Sequence, residues 1–245
     1  MKHLTKPPPE PVNAALPGRL SRLELLLMAV AALATVTSVL GLQTLHFIFK
    51  PLTMLLAILL VAVRARQSPT ASRFDTLLLA ALAASLAGDV FLMLPGNYFI
   101  PGLASFLVAH LFYIALFRRG VPWFASRRAL LGTLAVGSAM YLWVWSGLAD
   151  PVLKLAVAAY VSVIALMVAQ AIGRAVVQRD AAASAVALGA CIFMLSDALI
   201  AINRFVQPLP LVSLWVLTSY YLAQILMVHN ARPPSPPGGA CSGTK

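Results

Sequence analysis

The stretch SAVALGACIFMLSDALIAI, residues 184–202, contains a single charged residue, Asp197, among 19 residues that are otherwise almost all apolar. About 20 consecutive apolar residues are enough for an α-helix to cross the hydrocarbon core of a bilayer. In lipid every backbone polar group must be satisfied internally, which leaves helices and closed barrels as spanning structures. A continuous apolar run of this length therefore predicts a transmembrane helix.

Seven further stretches have the same character. The chain is 61% hydrophobic and only 10% charged, with a mean hydropathy of +0.90, whereas a soluble domain carries roughly 25% charged residues. We therefore predict an all-α polytopic membrane helix bundle with eight transmembrane helices. The other predicted spans are residues 24–42, 45–63, 74–94, 98–117, 129–147, 152–172 and 210–229.

The basic residues predict the orientation of the bundle. The formal net charge is +11. If the N-terminus is cytoplasmic, 15 of the 18 Lys and Arg residues fall on the cytoplasmic side, Lys154 and Arg204 fall on the opposite side, and Lys50 falls within a span. Cytoplasmic loops of membrane proteins carry an excess of Lys and Arg. The pattern predicts that both termini are cytoplasmic, and it attributes the charge to the membrane surface rather than to nucleic acid.

The two ends of the chain differ in composition from the middle. Residues 1–22 are rich in Pro and lack the apolar core of a signal peptide, and residues 231–245 are rich in Pro, Gly and Ser. We predict disordered cytoplasmic tails at 1–22 and 231–245 around a transmembrane domain at 23–230. The Pro-rich and Ala-rich composition is typical of GC-rich bacterial coding, which predicts the cytoplasmic membrane of a bacterium.

Four Asp, Glu, Lys, Arg or His side chains lie at least five residues inside the ends of a predicted span: Lys50, Asp89, His110 and Asp197. Such groups are costly at membrane depth and commonly mark functional sites. At about 1.5 Å per residue, Lys50 and Asp89 lie roughly 7 Å from the outer ends of their spans, Asp197 lies at a similar depth, and His110 is deeper, at about 18 Å. Three charges at one level predict a shared polar cavity in the outer half of the bundle.

A structural role is the alternative for each of these groups. Lys50 could pair with an Asp simply to tie helices together. His110 could be a core histidine bonded to a carbonyl, and Tyr113, one turn later, could be its partner or a packing residue.

Five segments carry a family resemblance: FKPLTMLL (49–56), LAGDVFLML (86–94), FIPGLASFLVAHLFYIALF (99–117), GACIFMLSDALIAINRF (189–205) and TSYYLAQILM (218–227). Their GD, GL-x-x-F-x-x-x-H-x-x-Y and SD-x-x-x-A-x-x-x-F patterns are specific in combination. Together they resemble the YhhN-like family, the lysoplasmalogenases. The predicted spans one, five and six match that family only in hydropathy.

The resemblance implies a membrane hydrolase that cleaves the vinyl ether bond of a lysophospholipid to a fatty aldehyde and a glycerophospho-alcohol. It implies catalytic roles for Asp89, Asp197 and His110. Membrane lipid and a lysophospholipid substrate are the partners it implies. Carried onto this chain, the remaining polar positions of the family, implied to bind substrate, are Lys50, Tyr113, Ser196, Asn203, Arg204, Tyr220 and Gln224.

Two carboxyl groups suit this chemistry. As in glycoside hydrolysis, one can act as the acid while the other stabilises the cation or activates water. We expect Asp89 and Asp197 to be this pair, Lys50 and Arg204 to bind the lipid phosphate, and His110 to shuttle a proton or orient a carboxylate.

Other chemistries find less support. The chain has no G-x-S-x-G elbow, no H-E-x-x-H motif and no clustered His and Cys residues, so we expect neither a metal nor a cofactor. A transporter or lipid-binding protein using the same cavity remains an alternative, as does a structural membrane protein. A cavity open laterally to lipid favours the hydrolase, whereas a water path to both faces favours transport.

Overall fold

The computed structural model describes residues 20–67 and 73–233. Within these ranges it contains eight α-helices and no β-strand, and each helix is long and apolar enough to cross a membrane. The predicted all-α bundle is confirmed. The helices are α1 (Arg22–Val39), α2 (Gln43–Gln67), α3 (Arg73–Met93), α4 (Phe99–Phe117), α5 (Arg127–Val144), α6 (Pro151–Gln178), α7 (Ala181–Phe205) and α8 (Val212–Asn230), with a 3₁₀ turn at Trp145–Gly147 after α5. The predicted tails at 1–22 and 231–245 fall mostly outside the described residues, and their disorder stays a prediction.

Side-chain caps define where several helices begin. Ser21 and Glu24 form a capping box at the start of α1. The Asp150 side chain accepts from Val152 N–H just before Pro151, the first residue of α6. Asp180 caps α7 in the same way, through Ala183 N–H at 2.6 Å. These caps satisfy backbone donors that have no partner within the helix.

The break between α1 and α2 is short and depends on a glycine. Gly41 has a φ of +71°, which side-chain-bearing residues rarely adopt. The Leu42 N–H donates to the Thr37 carbonyl at 2.9 Å, so the chain turns back directly after α1. This turn separates two apolar runs that hydropathy alone barely divides.

The helices form a ring in the order α1, α2, α3, α4, α6, α7 and α8, and α8 returns to contact α1. Helix α5 stands outside this ring, packs against α6 and makes only a small contact with α7. The start of α1 meets the end of α8 through Glu24 Oε1 and His229 Nδ1, 2.5 Å apart. The two described ends of the chain therefore share one face of the bundle, which we call the terminal face.

Helices α3 and α4 approach closely through two glycines. A Cβ on Gly88 would lie 2.5 Å from Phe106 Cδ2, and a Cβ on Gly102 would lie 2.7 Å from Leu92 Cδ2. Small residues allow this kind of approach between membrane helices. The contact brings Phe106 of α4 against the turn of α3 that carries Asp89, and so it shapes the interior described next.

Candidate functional site

A buried ion pair joins α2 to α3. Lys50 Nζ lies 3.3 Å from Asp89 Oδ1, and the Asp89 residue is only 3% exposed. Pro51 follows Lys50 inside α2, and a proline in a helix interior removes one backbone hydrogen bond and bends the helix. The two charges that the sequence placed at one depth thus meet directly.

Three further predicted residues extend from this pair. The Tyr220 hydroxyl donates to Asp89 Oδ2 at 2.6 Å, and Gln224 Nε2 donates to the Tyr220 oxygen at 3.4 Å. The Tyr113 hydroxyl donates to Gln224 Oε1 at 2.7 Å. All three side chains are buried. Lys50, Asp89 and these residues form one network, which we call the Asp89 network, across α2, α3, α4 and α8.

Asp197 has a different partner and a different environment. The Tyr160 hydroxyl on α6 donates to Asp197 Oδ2 at 2.5 Å. Both residues line a cavity of about 380 Å³ between α4, α5, α6 and α7. The other lining residues are apolar apart from Thr133 and Cys191, so Asp197 is the one acidic group of the cavity wall among the described residues. Asp197 is partly exposed, and its exposed part faces this space.

Two aromatic rings stand between the cavity and the Asp89 network. Phe106 lines the cavity, and its ring centroid lies 6.1 Å from that of Phe193 and 6.0 Å from that of Tyr220. The ring centroids of Phe193 and Tyr220 are 5.4 Å apart. The expected single polar cavity is therefore divided into a closed ion-pair network and an open apolar cavity.

His110 occupies the interior next to both parts. It is fully buried, and neither ring nitrogen has a hydrogen-bond partner among the described residues. Its ring makes edge contacts with Tyr160 and Phe193, at centroid distances of 5.2 and 5.0 Å. It is not bonded to a carbonyl, as a structural core histidine would be. A buried polar group without a partner requires an explanation, such as a catalytic role or a water.

The remaining predicted residues make their side-chain contacts with groups other than the two carboxylates. The Ser196 hydroxyl donates to the Val216 carbonyl at 3.0 Å and ties α7 to α8. Asn203 Oδ1 accepts from Leu209 N–H at 2.9 Å and closes the turn after α7. Arg204 is exposed, with its guanidinium carbon 4.2 Å from the centroid of the Phe99 ring, which lines the cavity. Of these three, Arg204 alone borders the cavity.

Sequence reasoning missed Tyr160. It lies on a helix that matched the family pattern only in hydropathy, and a tyrosine in an apolar span is ordinary in itself. A partner for Asp197 could have been sought among the hydroxyl-bearing residues of the neighbouring spans, but hydropathy does not say which spans are neighbours. Within residues 20–67 and 73–233, no three His, Cys, Asp or Glu side chains are grouped to hold a metal ion.

Comparison with known proteins gives the family. Residues 45–231 match the model of the YhhN family. Human lysoplasmalogenase TMEM86B is 37% identical over 164 residues, 66% of this chain and 67% of that protein. Human lysoplasmalogenase TMEM86A is 32% identical over 61% of this chain and 62% of that protein. The uncharacterized membrane protein YhhN of Escherichia coli O157:H7 is 39% identical over 72 residues, 29% of this chain and 33% of that protein. No solved structure matches. With most of its length matched by the family model, this multi-pass membrane chain belongs to the YhhN family.

Proposed function

We propose that this protein is a membrane-embedded hydrolase that cleaves the vinyl ether bond of a lysoplasmalogen-type lysophospholipid, in the cytoplasmic membrane of a bacterium. The products are a fatty aldehyde and a glycerophospho-alcohol. The observation that carries the proposal is the position of Asp197, a carboxyl group at the wall of an apolar cavity large enough for a small ligand. The curated relatives named lysoplasmalogenase support the same activity.

The chemistry begins with a proton delivered to carbon. A protonated Asp197 gives its proton to the β-carbon of the vinyl ether, and the electron pair of the double bond forms the new C–H bond. The α-carbon and the ether oxygen then share the positive charge of an oxocarbenium ion. Asp197, now a carboxylate, stabilises this cation and accepts a proton from the water that attacks it, as a carboxylate does in glycoside hydrolysis.

The second half of the reaction breaks the ether bond. Addition of water yields a hemiacetal, and its collapse breaks the bond between the former α-carbon and the glycerol oxygen. The hydroxyl of the hemiacetal loses its proton and becomes the aldehyde carbonyl, while the glycerol oxygen gains a proton. One water molecule is consumed, and no oxidant or cofactor enters the balance.

We assign the acid to Asp197 rather than to Asp89 because of their partners. Asp89 is held by Lys50 at 3.3 Å and does not line the cavity. An ammonium group at that distance favours the carboxylate form. Asp197 accepts a hydrogen bond from Tyr160 on Oδ2, which leaves Oδ1 to carry and donate a proton.

The other residues support this centre. The Lys50–Asp89 ion pair places a fixed dipole behind the Phe106 and Phe193 rings. His110, in edge contact with Tyr160, is positioned to relay a proton through an intervening water. Arg204 at the border of the cavity suits a phosphate, because its guanidinium group is exposed and its planar fork can bind two phosphate oxygens. Lys50 is paired with Asp89. It is therefore a weaker candidate for binding the lipid phosphate than the sequence suggested.

The test is mass spectrometry of lipids incubated with the purified protein. We expect wild-type protein to release fatty aldehyde from a lysoplasmalogen, and Asp197→Asn to lower the rate by at least about a hundredfold, a typical contribution of a general acid. Asp150→Asn is the matched control, since Asn is an equally good N-cap and Asp150 lies outside the cavity. Full activity in Asp197→Asn would refute the mechanism.

A further inference from the structure

The cavity beside Asp197 is open on one side. Four of its lining residues are exposed: Gly132 and Val136 on α5, and Cys191 and Leu195 on α7. Val136 is 61% exposed and Leu195 is 54% exposed. On the side of α4, by contrast, the lining residues are buried or half-buried. The opening therefore lies between α5 and α7.

The exposed lining residues form two pairs, one on α5 and one on α7, and the members of each pair are four residues apart. Residues four apart lie on the same face of a helix, so Gly132 and Val136 form a strip along α5, and Cys191 and Leu195 form a strip along α7. Helix α5 is held mainly by α6, with a Cβ on Gly137 only 3.1 Å from Val161 Cγ1. A Cβ on Gly132 would meet nothing within 4 Å. The two strips thus line the same cavity, and the space beside Gly132 is open.

The opening lies at the depth of the lipid chains. At about 1.5 Å per residue, Gly132 is about 8 Å from the start of α5, and Cys191 is about 15 Å from the start of α7. The hydrocarbon core of a bilayer is about 30 Å thick. Both residues are therefore surrounded by acyl chains rather than by water or head groups, so a hydrocarbon chain is the ligand in direct contact with this opening.

We propose that the gap between α5 and α7 is a lateral portal, through which the hydrocarbon chain of a lysophospholipid passes from the bilayer into the cavity beside Asp197. This inference rests on the proposed function for the identity of the lipid. The cavity follows α7 from Cys191 to Phe205, about 21 Å of helix, and Asp197 lies between these ends. A chain entering at Cys191 therefore reaches the carboxyl group without crossing water.

Filling the portal is the first test. Gly132→Trp places a large side chain in open space, so the fold has room for it, and we expect kcat/KM in liposomes to fall at least about tenfold. Leu131→Trp is the matched control, because Leu131 is on the same helix, is 69% exposed and does not line the cavity. If Gly132→Trp does not fold, Val136→Trp tests the same strip.

The second test asks whether a bound lipid protects Cys191 from chemical labelling, and it does not need catalytic turnover. The chain has two cysteines, so Cys241→Ser leaves Cys191 as the target of a maleimide, added to the purified protein in detergent at about pH 8.5, where enough thiolate forms to react. A saturated 1-O-alkyl lysophosphatidylethanolamine, which has no vinyl ether to cleave, is the probe. At ten times its Kd it should slow the labelling of Cys191 about tenfold. The control is Leu188→Cys with both native cysteines changed to Ser, because Leu188 is exposed on α7 but lies outside the cavity.

The outcomes separate the portal from the proposed function. Equal labelling rates with and without the probe, together with unchanged kcat/KM in the portal variants, would overturn the portal while leaving hydrolysis intact. Protection of Cys191 without aldehyde release by wild-type protein would support a lipid-binding portal and overturn the hydrolase. Equal protection at Cys191 and at Leu188→Cys would show general coating by lipid and would also overturn the portal.

Discussion

The Tyr160 hydroxyl selects which oxygen of Asp197 is free to react. It donates to Oδ2 at 2.5 Å, so Oδ1 is left for the substrate. Tyr160→Phe removes this donor while keeping the ring against His110. We expect kcat to fall about tenfold to a hundredfold, because hydrogen bonds to charged groups contribute about 1.5–3 kcal/mol. KM should change little, since the apolar wall of the cavity is retained, and initial-rate kinetics in liposomes measure both.

Tyr141→Phe is the control for that variant. It removes a hydroxyl that donates to the Lys154 carbonyl at 3.2 Å, and Tyr141 does not line the cavity. Its kcat should match that of the wild type. A Tyr160→Phe enzyme with wild-type kcat would show that Asp197 does not need this donor.

The residues of the site were predictable to different degrees from the sequence. A charged side chain at membrane depth is costly, so Lys50, Asp89 and Asp197 were evident candidates from their place in apolar spans alone. Their pairing was not, because the depth of two residues says nothing about the lateral order of their helices. Tyr160 carried no signal, since an aromatic residue in an apolar span costs little whether or not it has a partner.

Helices α2 and α3 are held together in the interior by the Lys50–Asp89 pair. Removing one partner of a buried pair leaves an uncompensated charge and costs about 3–5 kcal/mol. We expect Lys50→Met to lower the free energy of unfolding by about this amount. The double variant Lys50→Met/Asp89→Asn should recover most of the loss, because it leaves no charge and Asn can still accept from Tyr220. Thermal unfolding in detergent compares both variants with the wild type.

Lys154→Met is the control for Lys50→Met, because it makes the same substitution at a lysine of α6. No acidic partner is bonded to Lys154 among the described residues, and its ammonium group lies over the Trp145 ring at 4.3 Å. We expect a loss of no more than about 1 kcal/mol, the size of a cation–π contact at an exposed site. Equal losses from Lys50→Met and Lys154→Met would mean that the buried pair does not tie α2 to α3.

At the level of helices, hydropathy predicted the number of elements but not their limits. Helix α6 runs to Gln178, beyond the predicted span that ends at residue 172. Its last turns contain Arg174, whose guanidinium group donates to the carbonyls of Arg119 and Arg232 at 2.8 and 3.0 Å. The backbone stays helical after the apolar run ends, because Arg174 finds hydrogen-bond acceptors at the terminal face.

The lateral arrangement of the whole bundle was beyond the sequence. Eight apolar runs predict eight helices, but they do not predict that α5 lies outside the ring formed by the other seven. That placement matters for function, because a helix held mainly by one neighbour leaves a gap beside it. The apolar cavity and its opening lie in this gap, so the site depends on a packing order that hydropathy does not encode.

The orientation of the molecule in the membrane is a prediction for the whole chain. The Glu24–His229 contact places both described ends on the terminal face, where Arg64 and Arg174 also lie near the ends of their helices. The excess of Lys and Arg predicts that this face is cytoplasmic. In a background with Cys191→Ser and Cys241→Ser, we expect Gln207→Cys to react with a membrane-impermeant maleimide in intact cells. Arg127→Cys, at the start of α5, should react only after lysis. The reverse pattern would show that the bundle is inverted.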